Sequence, residues 1–157
     1  MSIRVTRREL SMALGGLGVV AVGAEADKPG ATIHQENDYK AAPSRIYEVL
    51  LDAKQFAAMS GDTAEIEAKP GGAFRLFGGR IEGRNIELVP GQRIVQAWRP
   101  AYWAAGVYSI IRFELVPRDS GTHLVFDQAG ITADLWEHLS EGWREHYFTR
   151  LHKYLDA

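Results

Sequence analysis

A chain of 157 residues, 46% hydrophobic and 24% charged, is long enough for one domain with a sizeable core and leaves no room for a second. Its formal net charge of -2 sets up no field that would gather nucleic acid. Without cysteine it can form no disulfide, thiol nucleophile or thiolate metal site.

The first 26 residues carry Arg4, Arg7 and Arg8 ahead of an uncharged run from Ser11 to Ala24. A basic head before a mildly apolar stretch is the pattern of an export signal. Thr6-Arg7-Arg8-Glu9-Leu10 resembles the twin-arginine consensus, and Ala24-Glu25-Ala26 offers small residues at a cleavage site. Glycines at 15, 16, 18 and 23 make the run a poor match to a hydrocarbon core of about 30 Å. The expectation is a signal over 1–26 read by the twin-arginine export machinery, a periplasmic or other extracytoplasmic destination, and no stable membrane insertion once the signal is removed. A single domain then occupies 27–157. Should the segment not act as a signal, the protein stays in the cytoplasm.

After a turn-rich joint at 27–31, loose alternation from Ile33 to Lys40 predicts a first strand. Ala41-Ala42-Pro43 then places proline where the first turn of a helix tolerates it. In SRIYEVLLDAKQF, Ile46, Val49, Leu50 and Phe56 recur at near-helical spacing, and Asp52 separates this helix from a second that ends near Gly61. From Pro70 to Pro100, the glycine pairs at 71/72 and 78/79 and Pro90-Gly91 cut the chain at hairpin spacing. Strands are expected near 65–68, 73–77, 80–88 and 92–99. Two longer strands follow at 107–117 and 122–130; in the first, Ile111, Phe113 and Leu115 share one face while Arg112 and Glu114 take the other. A last helix is predicted from Asp134, with Asp134 and Glu137 as a capping box. Its apolar stripe is Leu135, Leu139, Trp143, Tyr147, Leu151 and Tyr154, over about six turns.

This order of elements, with the glycine punctuation above and Gly121-Thr122 and Gly142-Trp143 further on, resembles the START-like, birch-pollen-allergen-like (Bet v 1-like) SRPBCC superfamily. Within it, the chain resembles the family named for activators of the 90-kilodalton heat-shock chaperone ATPase, from about Ile33 to Leu155. The resemblance implies an α+β helix-grip fold: a curved antiparallel sheet of about seven strands wrapped on a long C-terminal helix over an internal cavity, with two short helices after strand one. It implies no particular ligand or reaction, because such folds serve many functions.

Large aromatic residues fall where such a cavity would lie: Phe74, Trp98, Tyr102, Trp103, Phe113, Phe126, Trp136, Trp143 and Tyr147. Singly, each ring reads as core packing. Together, rigid rings around a wedge between sheet and helix suit a small flat or apolar ligand. The turn bearing Tyr102 and Trp103 reads as a rim or lid, with a core plug or a homodimer contact as alternatives.

His138, Glu141 and Glu145 share one side of the last helix but lie off its apolar stripe, which favours a solvated face over a metal or acid–base site. His146 lies nearer the stripe and reads as a partly buried core histidine; His34, His123 and His152 read as surface residues. Asn85 or Glu87 would turn inward only at a bulge near Gly83, and Asp127 and Gln128 pose the same question. Zinc-protease, phosphate-loop, dinucleotide and nucleophile-elbow motifs are absent, so no catalytic residue, metal or cofactor is assigned. The sequence therefore favours a carrier or sensor that binds a small apolar molecule. One alternative is a co-chaperone-like interaction module of the ATPase-activator type, which export would separate from its cytosolic target. A second is a cyclase- or hydrolase-like enzyme, for which no acid–base pair stands out.

Overall fold

The computed structural model describes residues 28–156, so the export signal expected at 1–26 lies outside the described residues. The chain runs β1 (Gly30–Tyr39), α1 (Pro43–Leu51), α2 (Ala53–Ser60), β2 (Glu65–Ile66), β3 (Ala73–Leu76), β4 (Ile81–Val89), β5 (Arg93–Pro100), β6 (Ser109–Arg118) and β7 (Gly121–Thr132), then a C-terminal helix. All seven strands form one antiparallel sheet in the order β1-β7-β6-β5-β4-β3-β2. Because β1 and β2 lie at opposite edges, α1 and α2 carry the chain from one edge to the other. Asp52 makes the break between them by accepting the Gln55 N–H at 2.9 Å, and α2 stops where Gly61 turns left-handed at φ 78°.

Bulges in β1, between Ala31 and Ile33, and in β4, between Asn85 and Glu87, bend the sheet. Gly83 brings neighbouring strands close: a Cβ there would lie 1.9 Å from the Ala97 carbonyl oxygen and 2.4 Å from Phe74 Cζ. On the concave face, alternation buries Ile94, Gln96 and Trp98 of β5, Ile111, Phe113 and Leu115 of β6, and Leu124, Phe126 and Gln128 of β7.

The last helix is less regular than its spacing predicts. It opens with a 3-10 turn at Ala133–Leu135, and no side chain caps it; the Asp134 carboxylate lies 2.8 Å from Lys28 Nζ, so the expected capping box does not form. Between α3 (Trp136–Gly142) and α4 (Thr149–Leu155), residues Trp143–Phe148 form a π-helical segment in which the Thr149 N–H donates to the Arg144 carbonyl, five residues back. Neighbouring residues of a regular helix point about 100° apart. The wider turn lets Tyr147 and Phe148 both face inward, at 5% and 2% exposed, while Leu135 and Tyr154 are only half-buried.

Trp143 is the centre of the core. Its ring lies 4.1 Å from Phe126, 4.3 Å from Tyr147 and 5.0 Å from Trp98, centroid to centroid. Beneath it runs a polar relay: the Trp143 indole N–H donates to Gln128 Oε1 at 2.7 Å, Gln128 Nε2 donates to Ser109 Oγ at 2.9 Å, and that hydroxyl donates to the Trp98 carbonyl at 2.8 Å. Each member has a partner, so the relay fixes helix against sheet without leaving these polar groups uncompensated.

Candidate functional site

At the β4–β5 side of the grip, the sheet and the C-terminal helix part to leave a cleft of about 930 Å³. Trp98, Trp143 and Tyr147 supply its aromatic surface, with Phe77 and Ile81 beside them. The end of α2 contributes Ser60 to Asp62, and the chain leaving β5 contributes Pro100 to Tyr102. Polar groups ring it: Asp62 pairs with Arg80 at 2.7 Å, Arg150 donates to the Ser60 carbonyl, and His138, Glu141, Glu145 and His146 line it from the helix as exposed side chains. A large concave space with rings inside and charges outside suits capture of a small, mainly apolar molecule.

Of the nine aromatic residues singled out from sequence, Trp98, Tyr102, Trp143 and Tyr147 line this cleft. Phe74, Phe113 and Phe126 sit in the core at 2% exposure or less. Trp103 is half-buried and packs edge-on against Trp98 at 6.4 Å, at the side of the core. Trp136 is 45% exposed, its indole N–H donating to the Thr32 carbonyl at 2.8 Å. His146, read from sequence as a partly buried core residue, is exposed at the cleft, edge-on to Phe77 at 6.5 Å. Asn85 does turn inward, but it holds backbone: its amide donates to the Glu67 carbonyl at 2.8 Å and accepts from Gln96 at 2.9 Å. Glu87 stays outside on Arg93, as does Asp127 on His34 and Arg112. No group of three or more His, Asp or Glu among the described residues is arranged to hold a metal.

Two features of the site escape the sequence reading. Phe77, expected at the end of a strand, has φ 52°, a left-handed conformation that a bulky residue rarely adopts. Gly78 and Gly79 follow it at φ 66° and 89°, so the turn swings the Phe77 ring onto Phe56 at 5.5 Å and Tyr147 at 5.4 Å, forming a wall of the cleft. The second is Arg99, 7% exposed. Its guanidinium donates to the Trp103, Ala104 and Val107 carbonyls and pairs with Glu82, clamping the connection that carries Tyr102. The glycine pair hinted at the first feature; alternation on β5 gave no hint of a buried arginine.

Burial pushes the Tyr147 hydroxyl well above the usual phenol range, the neighbouring Trp98 indole opposing this only in part, so the phenol is neutral at physiological pH. On the convex face, hydrogen bonds that the protonated His34 ring donates to the Asp127 and Glu36 carboxylates raise its pKa above the ordinary value.

Residues 40–156 match the family described as "Activator of Hsp90 ATPase homolog 1-like protein". The chain belongs to that family. The Dictyostelium discoideum activator of 90 kDa heat shock protein ATPase homolog is 31% identical over 121 residues, covering 76% of this chain and 32% of that protein. The Homo sapiens homolog 1 is 28% identical over 120 residues, covering 76% of this chain and 36% of its own. The chain thus spans about a third of the length of these curated relatives. The crystal structure of an HSP90 activator from Plasmodium falciparum matches with a TM-score of 0.72 at 25% identity, over 82% of this chain and 96% of that one. The helix grip is the fold they share.

Proposed function

We propose that this protein is a carrier or sensor that takes a small, flat, apolar molecule into the cleft between sheet and C-terminal helix. The observation that carries the proposal is the cleft itself: about 930 Å³ bounded by Trp98, Trp143, Tyr147 and Phe77, with its charges confined to the outer groups. Gly142 gives a clean test. It lies in helical conformation at φ -58° on the cleft wall, and the nearest atom to a Cβ placed there is His146 Cδ2 at 4.0 Å. A Cβ there meets only ordinary contact, so Gly142→Leu adds apolar bulk at the cleft wall and improves helix propensity. Nile red should bind the wild-type protein with enhanced fluorescence and bind Gly142→Leu at least tenfold more weakly, while the melting temperature holds or rises. Equal binding by both proteins, or none by the wild type, removes the cleft as a ligand site.

The second reading rests on the names of the relatives: a co-chaperone-like module acting on a 90-kilodalton chaperone through its surface. Because the chain spans about a third of those proteins, the test is direct, namely whether the purified chain raises the ATPase rate of such a chaperone. The export signal proposed at 1–26 would place the protein outside the cytoplasm. Mapping the amino terminus of protein recovered from its own source tests this, with mature material expected to begin near Asp27.

A further inference from the structure

We propose, resting on the ligand-site reading above, that the cleft holds its ligand by a negative head group, and that the ligand class is an amphipathic monocarboxylate: a flat apolar body bearing one carboxylate, which Arg150 receives. The observation behind it is a cation without a counter-charge. Four arginines among the described residues are buried or half-buried, Arg45, Arg93, Arg99 and Arg150. Arg45 pairs with Glu48 at 3.6 Å, Arg93 with Glu114 at 2.6 Å and Arg99 with Glu82. Arg150 has no carboxylate partner among the described residues; its guanidinium donates to the Ser60 carbonyl, a neutral acceptor. A charge drawn partly out of water without an opposite charge is costly, and a bound anion would remove that cost.

The surroundings of Arg150 place it at one end of the cleft. Ser60 is the last residue of α2, so the bond caps that helix and holds the guanidinium in position, using one of its five N–H donors. Gly61, left-handed at φ 78°, keeps side-chain bulk off the group: a Cβ there would lie 3.7 Å from Arg150 Nη1. Asp62, next in the chain, is already engaged by Arg80 at 2.7 Å and by the Thr63 N–H at 2.8 Å. Arg150 follows Tyr147 by three residues and lines the cleft with it, and the Phe77 ring stands 5.4 Å from that of Tyr147. An apolar body lying against these rings would bring its head group to Arg150.

Charge sets how many negative groups the ligand carries. Glu141 and Glu145 line the same cleft as exposed side chains, more than a turn back along the helix, and with Asp62 they give three carboxylates against Arg80 and Arg150. One ligand carboxylate supplies the charge that Arg150 lacks. A second negative charge, as on a phosphate monoester, would face Glu141 and Glu145 with no arginine left to offset it.

The test uses the full chain, Nile red as the reporter of the cleft, and four probes that share one ring system: 2-naphthoate, 2-naphthamide, 2-naphthylmethylamine and 2-naphthyl phosphate. At about pH 7 the acid is ionised and the amide neutral. In displacement of Nile red, 2-naphthoate should bind about tenfold more tightly than 2-naphthamide, the gain expected of a charge-assisted bond over a neutral one, with the amine and the phosphate weaker than the acid. Arg150→Gln should bring the acid and amide affinities together and leave Nile red binding unchanged, whereas Arg80→Gln should leave the preference for the acid in place. Arg150→Lys, which keeps the charge, should retain that preference and serves should Arg150→Gln fold poorly. Acid binding no tighter than amide in the wild type, or tighter binding of the amine or the phosphate, overturns the monocarboxylate assignment, while Nile red binding keeps the cleft. A preference for the acid that persists in Arg150→Gln overturns the role of Arg150 and leaves it as the cap of α2 alone. If neither Nile red nor any naphthalene binds, the ligand-site reading falls with it.

Discussion

Trp143→Phe probes the relay that joins helix to sheet. Trp143 is 2% exposed, and its indole N–H donates to Gln128 Oε1, itself on a fully buried side chain. The smaller ring gives up packing against Phe126 and Trp98, which costs about 1–2 kcal/mol. It also leaves Gln128 Oε1 without a donor, adding about 1–3 kcal/mol. The expected loss is roughly 3 kcal/mol, read from urea melts at constant m-value, or a fall in Tm of roughly 10 °C. Adding Gln128→Met removes the orphaned acceptor, so the double variant should be more stable than the sum of the single losses by about 1 kcal/mol. A loss under about 1 kcal/mol for Trp143→Phe, or strict additivity in the double variant, would refute the claim that the relay holds the helix in place.

Arg99→Met should cost about 3 kcal/mol, because Glu82 and three carbonyls lose a buried partner, and should speed chymotryptic cleavage at Tyr102 and Tyr108; unchanged stability and cleavage would show that the connection holds itself. Gly83→Ala should cost at least about 2 kcal/mol in the same urea assay, since its Cβ would meet backbone at 1.9 Å; a neutral result would show that β4 and β5 can separate there. His34 on β1 faces Glu36 on its own strand and Asp127 on β7; Asp127 also holds Arg112 of β6, and Glu36 also holds His123 of β7. With its folded pKa raised, the contribution of His34 is complete below about pH 6.5 and is lost as pH rises through the raised value. Glu36 and Asp127, whose values are lowered, contribute above about pH 4 and lose that as pH falls. His34→Gln should flatten the decline in stability between about pH 6 and pH 8; an unchanged slope would mean that the imidazolium adds nothing.

The succession of strands along the chain, the two short helices and the buried side of the last helix were legible because each rests on a local signal: alternation on β6, the Asp52 cap, and stripe positions such as Leu139, Trp143 and Leu151. The π-helical segment was not legible, because any one-period reading of the helix must choose between Tyr147 and Phe148, and the structure buries both. Its signal is the apolar pair itself, which a regular helix would split between core and surface. Which aromatic residues face open space and which face other rings is likewise set by curvature. Phe113 and Phe126 stand under the helix, while Trp98 stands near where helix and sheet diverge, and nothing in a strand pattern distinguishes them.

The ligand and surface readings make different demands on the two faces of the sheet. On the convex face a series of ionisable side chains is paired without a break, Asp38, His123, Glu36, His34, Asp127, Arg112, Glu114, Arg93 and Glu87, from β1 across to β4. A protein docking there by charge would have to break pairs that the fold has already made, and exposed pairs exchanged for similar ones give little net affinity. The exposed apolar residues are spread more widely: Tyr102, Val107 and Tyr108 in the connection that Arg99 clamps, Ile110 and Val116 on the outer face of β6, Ile86 on β4 and Trp136 on the last helix; of these, Tyr102 also lines the cleft. The proposed ligand capture, and a partner docking on that connection, would therefore meet at Tyr102. A molecule seated against Trp98 and Tyr147 would alter the surface beside them, so a ligand in the cleft should change the affinity of any partner that covers Tyr102.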